Sequence, residues 1–236
     1  MPKRRASPAE PSRSKRGKRD SAASEAESGA DARDTPKTLA ASPERREALL
    51  AKYPSCIPSK LAELDEQRFS STPAAITSRS SNGDRPHMTK DEFVSLVEWK
   101  LKHGTFRPAL LGMAKQHPPE LVVSTTSEAF ALLFQTEGGG TIKALKVLTA
   151  LRGIGPATAS LFLSCVNCHV PFFSDEMFRW MMWDEPGGGG WNRKIKYTEK
   201  EYKELLGRVE EALSMEGMEG VSAWDLEKIA YILARE

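Results

Sequence analysis

Two neighbouring stretches carry residues suited to chemistry. The first is Leu151-Arg-Gly-Ile-Gly-Pro-Ala-Thr-Ala-Ser160; the second, after a short apolar run, is Val170-Pro-Phe-Phe-Ser-Asp175-Glu-Met-Phe-Arg179. The first reads as a helix ending near Leu151, a turn that needs two glycines, and a new helix that Pro156 opens without giving up a hydrogen bond. Gly153 and Gly155 allow positive φ and close backbone approach, so their N–H groups and the start of the second helix are able to face a phosphate. That makes the turn a candidate clamp for a nucleic-acid backbone. The plainer alternative is an ordinary corner, since any tight connection between helices uses glycine to leave the first one. Ser174-Asp175-Glu176 is equally double-edged: it offers two carboxylates, and it also suits a helix N-terminus with Ser as cap and acids favoured by the dipole.

Leu151, Gly153, Ile154, Gly155, Thr158 and Ala159, with Asp175 shortly beyond, resemble the helix-hairpin-helix of the DNA glycosylase superfamily (HhH-GPD). More narrowly, Trp99-Lys-Leu-Lys-His-Gly-Thr-Phe-Arg-Pro108, Gly153 to Ser160 and Phe172-Phe-Ser-Asp-Glu176 resemble the Amun-like branch of that superfamily. Together the resemblances cover residues 42–236. They imply a hairpin in which Gly153, Ile154, Gly155, Ala157 and Thr158 meet DNA, and a catalytic Asp175 in a cleft between two lobes. Breaking an N-glycosidic bond passes through an oxocarbenium-like state, which a carboxylate near the anomeric carbon stabilises. Reaching that bond in DNA requires flipping the base out, hence a phosphate clamp beside the carboxylate.

Position 157 limits the chemistry. Bifunctional members of the superfamily hold a nucleophilic lysine there, whereas this chain has Ala157, so strand cleavage by that route is excluded unless another lysine substitutes. Lys143 and Lys146 are the candidates, and the expected enzyme is a monofunctional hydrolase. Arg152 replaces the usual proline and adds a cation beside the phosphate site. Glu176 adds a second acid beside Asp175, which matters if both face one cleft. The alternative is a catalytically inactive glycosylase-fold protein acting as a DNA-binding, chromatin-binding or regulatory module. An adaptor with no nucleic-acid role ranks third.

Lys100, Lys102, His103 and Arg107 alternate with apolar residues near a helix end, and are candidates for phosphate contacts, with Trp99 or Phe106 against bases. The plainer reading makes the aromatics core and the lysines a solvated face. Arg193-Lys-Ile-Lys196 is a weaker basic patch of the same kind. Cys56, Cys165 and Cys168 read as reduced thiols, and Cys165-Val-Asn-Cys168 is only half of a zinc site. No cysteine follows Cys168, so the four-cysteine iron–sulfur loop of some glycosylases is not expected. The resemblance implies no cofactor beyond a monovalent cation at the hairpin.

The chain has 236 residues with 34 Lys and Arg against 32 Asp and Glu. Residues 1–41 hold ten of those basic residues and six of the acids, leaving 24 against 26 in the remainder. A slightly acidic folded part argues against a nonspecific DNA coat, so a nucleic-acid site must be local. Residues 1–41 contain one leucine and no aromatic residue, too little apolar surface to offset ordering entropy, and read as a disordered tail. Lys3-Arg4-Arg5 and Lys15-Arg-Gly-Lys-Arg19 are spaced like a bipartite nuclear import signal, implying the nucleus and an import receptor; a basic arm touching nucleic acid is the alternative. No apolar run is long enough for a membrane span, and the charged start does not suit a secretory signal.

From Ser42 onward the periodicity is helical and no segment alternates like a strand, so 42–236 is expected to be all-α. The helices expected are Ser42 onward through Leu50, Ser59 to Phe69, a Thr89 capping box leading to Gly104, Arg107 to Gln116, Ser124 or Thr126 to Gln135, Thr141 to Leu151, Pro156 to Cys165, Ser174 to Trp183, Thr198 to Met215 and Ser222 to Ala234. Ser70 to His87 reads as a loop, and Gly187 to Gly190 as a flexible tip with no phosphate-loop lysine after it.

Overall fold

Capping chemistry sets where most of the helices begin. Thr35, Thr89, Thr198 and Ser222 each close a reciprocal capping box, Ser174 caps with its hydroxyl alone, and proline stands in the first turn of several others. The computed structural model describes residues 33–104, 107–135 and 140–236, and residues 34–236 form one unit. Its helices are α1 (Pro36–Ala40), α2 (Pro43–Cys56), α3 (Ala62–Glu66), α4 (Thr72–Ser81), α5 (Lys90–His103), α6 (Pro108–Gln116), α7 (Pro119–Gln135), α8 (Gly140–Thr149), α9 (Pro156–Ser164), α10 (Asp175–Met181), α11 (Glu199–Leu213) and α12 (Ala223–Leu233). No strand occurs among the described residues, so the fold is all-α.

The centre is α9. Every residue from Ala157 to Ser164 is buried, the signature of a helix surrounded by others, and α5, α8 and α11 pack on it. α7 lies along α8, and α12 packs on both α2 and α10. The core is rich in rings: Phe93, Trp99, Phe130, Phe162 and Tyr202 are fully buried.

Three departures from the sequence expectations have local causes. The sequence composition puts the tail through residue 41, but α1 already lies within it: Thr35 caps, Pro36 sits in the first turn, and Leu39 is completely buried. The chain is pinned there because Arg46 Nη1 donates to Leu39 O at 2.9 Å and Trp180 Nε1 to Asp34 O at 2.8 Å. The stretch from Ser70, expected as a loop, is a wide helical turn over Gln67–Ser71 followed by α4, with Pro73 in its first turn and Ile76 buried. A single apolar residue gives no readable period; the segment is held instead by Arg68. The third is α7, which begins at Pro119 rather than at Ser124 or Thr126, since a proline that stops one helix also opens the next. The cap expected from Ser42 makes no side-chain bond. Both basic import-like clusters, Phe106, Gly138 and Gly139 lie outside the described residues.

Arg68 is completely buried and donates from Nη2 to Ser164 Oγ at 2.7 Å and to Glu227 Oε2 at 3.2 Å. Its guanidinium lies over the rings of Phe69 at 4.6 Å, Trp224 at 5.4 Å and Trp99 at 5.7 Å. This pair joins the wide turn, α9 and α12 from inside.

Candidate nucleic-acid interface and carboxylate cleft

The hairpin is built by α8, α9 and the turn between them. Ile154 N donates to Leu151 O at 3.0 Å, and Gly155 O accepts from Thr158 N at 3.0 Å and Ala159 N at 2.9 Å. Gly153 has φ of +83°, and a Cβ there would lie 3.0 Å from Met113 Cβ, so only glycine fits without strain. Gly155 departs from expectation: its φ is −96°, in the ordinary extended region. A Cβ at 155 would meet nothing within 4 Å, so no neighbour inside the protein explains the glycine. Among the described residues, no backbone carbonyl accepts from the N–H of Gly153, Gly155 or Ala157. These are unspent donors at a helix start.

The segment after α9 delivers Asp175. Phe172 and Phe173 are buried, and Phe173 N donates to Ser160 Oγ at 2.9 Å, tying the segment back to α9. Ser174 Oγ then accepts from Met177 N at 3.1 Å, which starts α10 and turns Asp175 outward. The hairpin and the segment thereby share one anchor.

Between them lies a cleft of about 510 Å³. Gly153, Gly155, Ala157 and Thr158 come to it from the hairpin, Asp175 and Glu176 from α10, and Lys100 and Arg107 from the end of α5 and the residues after it. Of the other residues singled out in the sequence, Ile154 is buried in the core, and Arg152 is exposed and lines a different depression beside Met113 and Leu121. Lys102 pairs with Glu98 at 2.6 Å, away from the cleft. Trp99 is core. Neither Lys143 nor Lys146 lines the cleft; both are exposed, and Lys146 faces Glu199 at 3.5 Å. Arg193 is spent on the Met182 and Glu185 carbonyls rather than free as a basic patch.

Three further residues hold the cleft carboxylates, and two of them, Tyr197 and Arg235, have no local motif. Tyr197 Oη donates to Asp175 Oδ1 at 2.6 Å, and Tyr197 is the one non-glycine with positive φ, at 55°, among the described residues. A tyrosine held in the left-handed region is backbone strain kept by its surroundings, here next to a carboxylate. Burial first, and then the bond to Asp175, push the phenol pKa up, so Tyr197 remains a donor at neutral pH. Arg179 Nη2 lies 3.4 Å from Asp175 Oδ2, and Arg235 Nη2 lies 3.3 Å from Glu176 Oε1. Arg179 follows Asp175 by one helical turn and is legible as such; Tyr197 and Arg235 are brought in only by tertiary packing.

The electrostatics favour an anion. Lys100, Arg107, Arg179 and Arg235 line the cleft against Asp175 and Glu176, four cations to two carboxylates. His103 adds no charge: its ring is sandwiched between Trp99 at 4.5 Å and Tyr231 at 4.4 Å, and burial, with Arg235 and Arg68 adding to it, pushes its pKa down to about 3. It lines the cleft but brings no positive charge to it. Burial also lowers the Lys100 pKa, opposed by Asp175 and reinforced by Arg107.

Cys165 is buried beside Arg68 with its thiol pKa pushed up to about 11 by burial, and among the described residues no group of His, Cys, Asp or Glu is arranged to hold a metal. At the hairpin, Leu151 O and Gly155 O accept from amides and Arg152 O meets His117 Nε2 at 2.9 Å. Against this geometry, comparison with protein-family models, curated proteins and solved structures finds no match, so the cleft's own chemistry is what indicates its use.

Proposed function

We propose that the chain is a nuclear DNA-binding protein with the two-lobed helix-hairpin-helix glycosylase fold, and that its cleft hydrolyses N-glycosidic bonds in DNA as part of base excision. One observation carries the reading: unspent hairpin amides, four cations and a carboxylate line the same cleft. Phosphates of a DNA strand would lie against the Gly153, Gly155 and Ala157 amides, with Arg107 and Lys100 adding charge. A flipped nucleotide would then place its anomeric carbon near Asp175, whose carboxylate stabilises positive charge as the base leaves and orients the attacking water. Tyr197 and Arg179 hold the two carboxylate oxygens in place for that role. The nuclear site rests on the two basic clusters of the tail.

A second reading has its own support. Asp175 and Glu176 each face an arginine, as acids at a purely structural helix start also do, and a catalytically inactive DNA-binding module would keep the clamp without the reaction. Duplexes carrying a panel of damaged or mismatched bases, treated with alkali after incubation, separate the two. Base release by the wild type that drops about 10²–10⁴-fold in Asp175→Asn, at an unchanged melting temperature, supports the hydrolase. Duplex binding with no release on any lesion supports the inactive module.

A further inference from the structure

His103 ends α5 at the wall of the cleft, and both faces of its ring are covered, by Trp99 at 4.5 Å and Tyr231 at 4.4 Å. The neighbours are fixed in turn. Trp99 Nε1 donates to Asp65 Oδ1 at 3.0 Å, and the Arg235 guanidinium lies 3.2 Å from the centre of the Tyr231 ring. Such a stack leaves only the imidazole edge, with its two nitrogens, to meet a ligand. His87 and His117 each set a ring nitrogen against a backbone carbonyl, whereas His103 has no hydrogen-bond partner among the described residues. The charges around it are already matched: Arg179 faces Asp175, Arg235 faces Glu176, and phosphates would take Lys100 and Arg107. A cationic base would find no unmatched carboxylate among the described residues of this cleft, whereas a carbonyl oxygen would find an imidazole N–H.

We infer that the His103 edge reads the flipped base, and that the cleft takes neutral bases with a carbonyl beside a ring N–H, the pattern of uracil and hypoxanthine, over cationic alkylated bases. The inference rests on the base-excision reading above and names its substrate class. A ring N–H of His103 donates to the base carbonyl. As the bond from the anomeric carbon to the base nitrogen breaks, its electron pair passes to the base and spreads onto carbonyl oxygen, so this hydrogen bond strengthens as charge develops. Water adds to the anomeric carbon and gives a proton to Asp175, and the departed base anion takes a proton from solvent. A cationic base leaves as a neutral molecule and gains nothing from the same donor. Burial keeps the imidazole uncharged, so one nitrogen donates while the other is left to accept.

The full-length protein, its histidines labelled with nitrogen-15, is titrated with four duplexes and followed by NMR. Three carry one 2′-fluoro nucleotide that resists hydrolysis, with uracil, hypoxanthine or 7-methylguanine as base; the fourth carries a tetrahydrofuran site, which has no base. His103→Phe keeps a flat ring in the stack and identifies the His103 signals among the four histidines. The expected result is a shift of the His103 ring nitrogens with uracil or hypoxanthine, and none with 7-methylguanine or tetrahydrofuran although both duplexes bind. Release of the base from the corresponding unfluorinated duplex falls at least tenfold in His103→Phe and is partly restored in His103→Gln, while both variants bind the tetrahydrofuran duplex within a few-fold of wild type. No selective shift when the duplexes bind, a larger shift with 7-methylguanine, or release unchanged in His103→Phe overturns the inference and leaves the DNA reading standing. A selective shift with no release from any duplex supports the base contact and removes the hydrolase. If no duplex binds at low salt, the DNA reading fails and free uracil and 7-methylguanosine become the probes. A His103 shift with uracil alone then supports the contact, and any other pattern overturns it.

Discussion

Arg68 with Glu227 and Arg179 with Asp175 are both arginine–carboxylate pairs, yet their surroundings are opposite. Arg68 and Glu227 are shut inside the helices, with Ser164 and three aromatic rings around the guanidinium. Arg179 and Asp175 are 28% and 38% exposed, and Lys100 and Arg107 face them without carboxylate partners of their own among the described residues. A buried pair costs its desolvation and cannot exchange partners, so it fixes how turn, α9 and α12 fit together. An open cleft with surplus cations leaves charge to be completed from outside. Residue type alone does not separate structure from function here; solvent access and surplus charge do.

The contrast breaks most visibly at Arg68. Arg68→Ala leaves Glu227 buried without a partner, and should cost about 3–5 kcal/mol of stability by urea unfolding. A substitution of the cleft arginine, Arg179→Ala, would cost less than about 1 kcal/mol, as partly exposed pairs at this spacing do.

The hairpin offers a finer contrast between its two glycines. Gly153→Ala forces a side chain into positive φ and against Met113, at about 1–3 kcal/mol, whereas Gly155→Ala has an ordinary φ and open space, and should lose only the cap preference for glycine over alanine, less than about 1 kcal/mol. Chemical unfolding of the two variants in parallel checks this. Equal costs would show that Gly155 is a structural glycine after all.

A smaller effect belongs to Glu227. Burial pushes its pKa up to about 7 from an ordinary 4.5, although Arg68 pulls the other way. The folded state therefore holds a proton between those values that the unfolded state has lost, and stability falls as pH rises from about 4.5 to 7. Melting curves should show this slope in the wild type, and a flatter one over the same window in Glu227→Gln.

Much of the fold was legible because helix starts are written in short local codes. The Thr89, Thr198 and Ser222 boxes and the first-turn prolines need no tertiary context. The missed elements, α1 and α4, are short and nearly devoid of apolar period; they exist because Leu39 docks in the core and Arg68 is pulled inside. At the cleft, the sequence led to the hairpin glycines, Asp175, Lys100 and Arg107, since motif and charge alternation mark them. Tyr197 and Arg235 lie far along the chain from Asp175, in segments with no motif, and only packing brings them back. Lys102 went the other way, since alternation of cations with apolar residues does not tell which face of α5 turns to the cleft, and His103 lines the cleft but is held uncharged between two rings.

The central claim is that the cleft takes a DNA backbone against the hairpin amides. Gly155→Asp puts a carboxylate where those amides point, in a space that accepts a side chain without strain. Fluorescence anisotropy with a labelled duplex over a salt series measures the consequence directly. The account predicts wild-type binding that weakens steeply with salt, and at least a tenfold loss in Gly155→Asp, on the order of 1.4 kcal/mol, with an unchanged melting temperature. Equal affinity of wild type and Gly155→Asp across the salt series, or no wild-type binding at low salt, would contradict it.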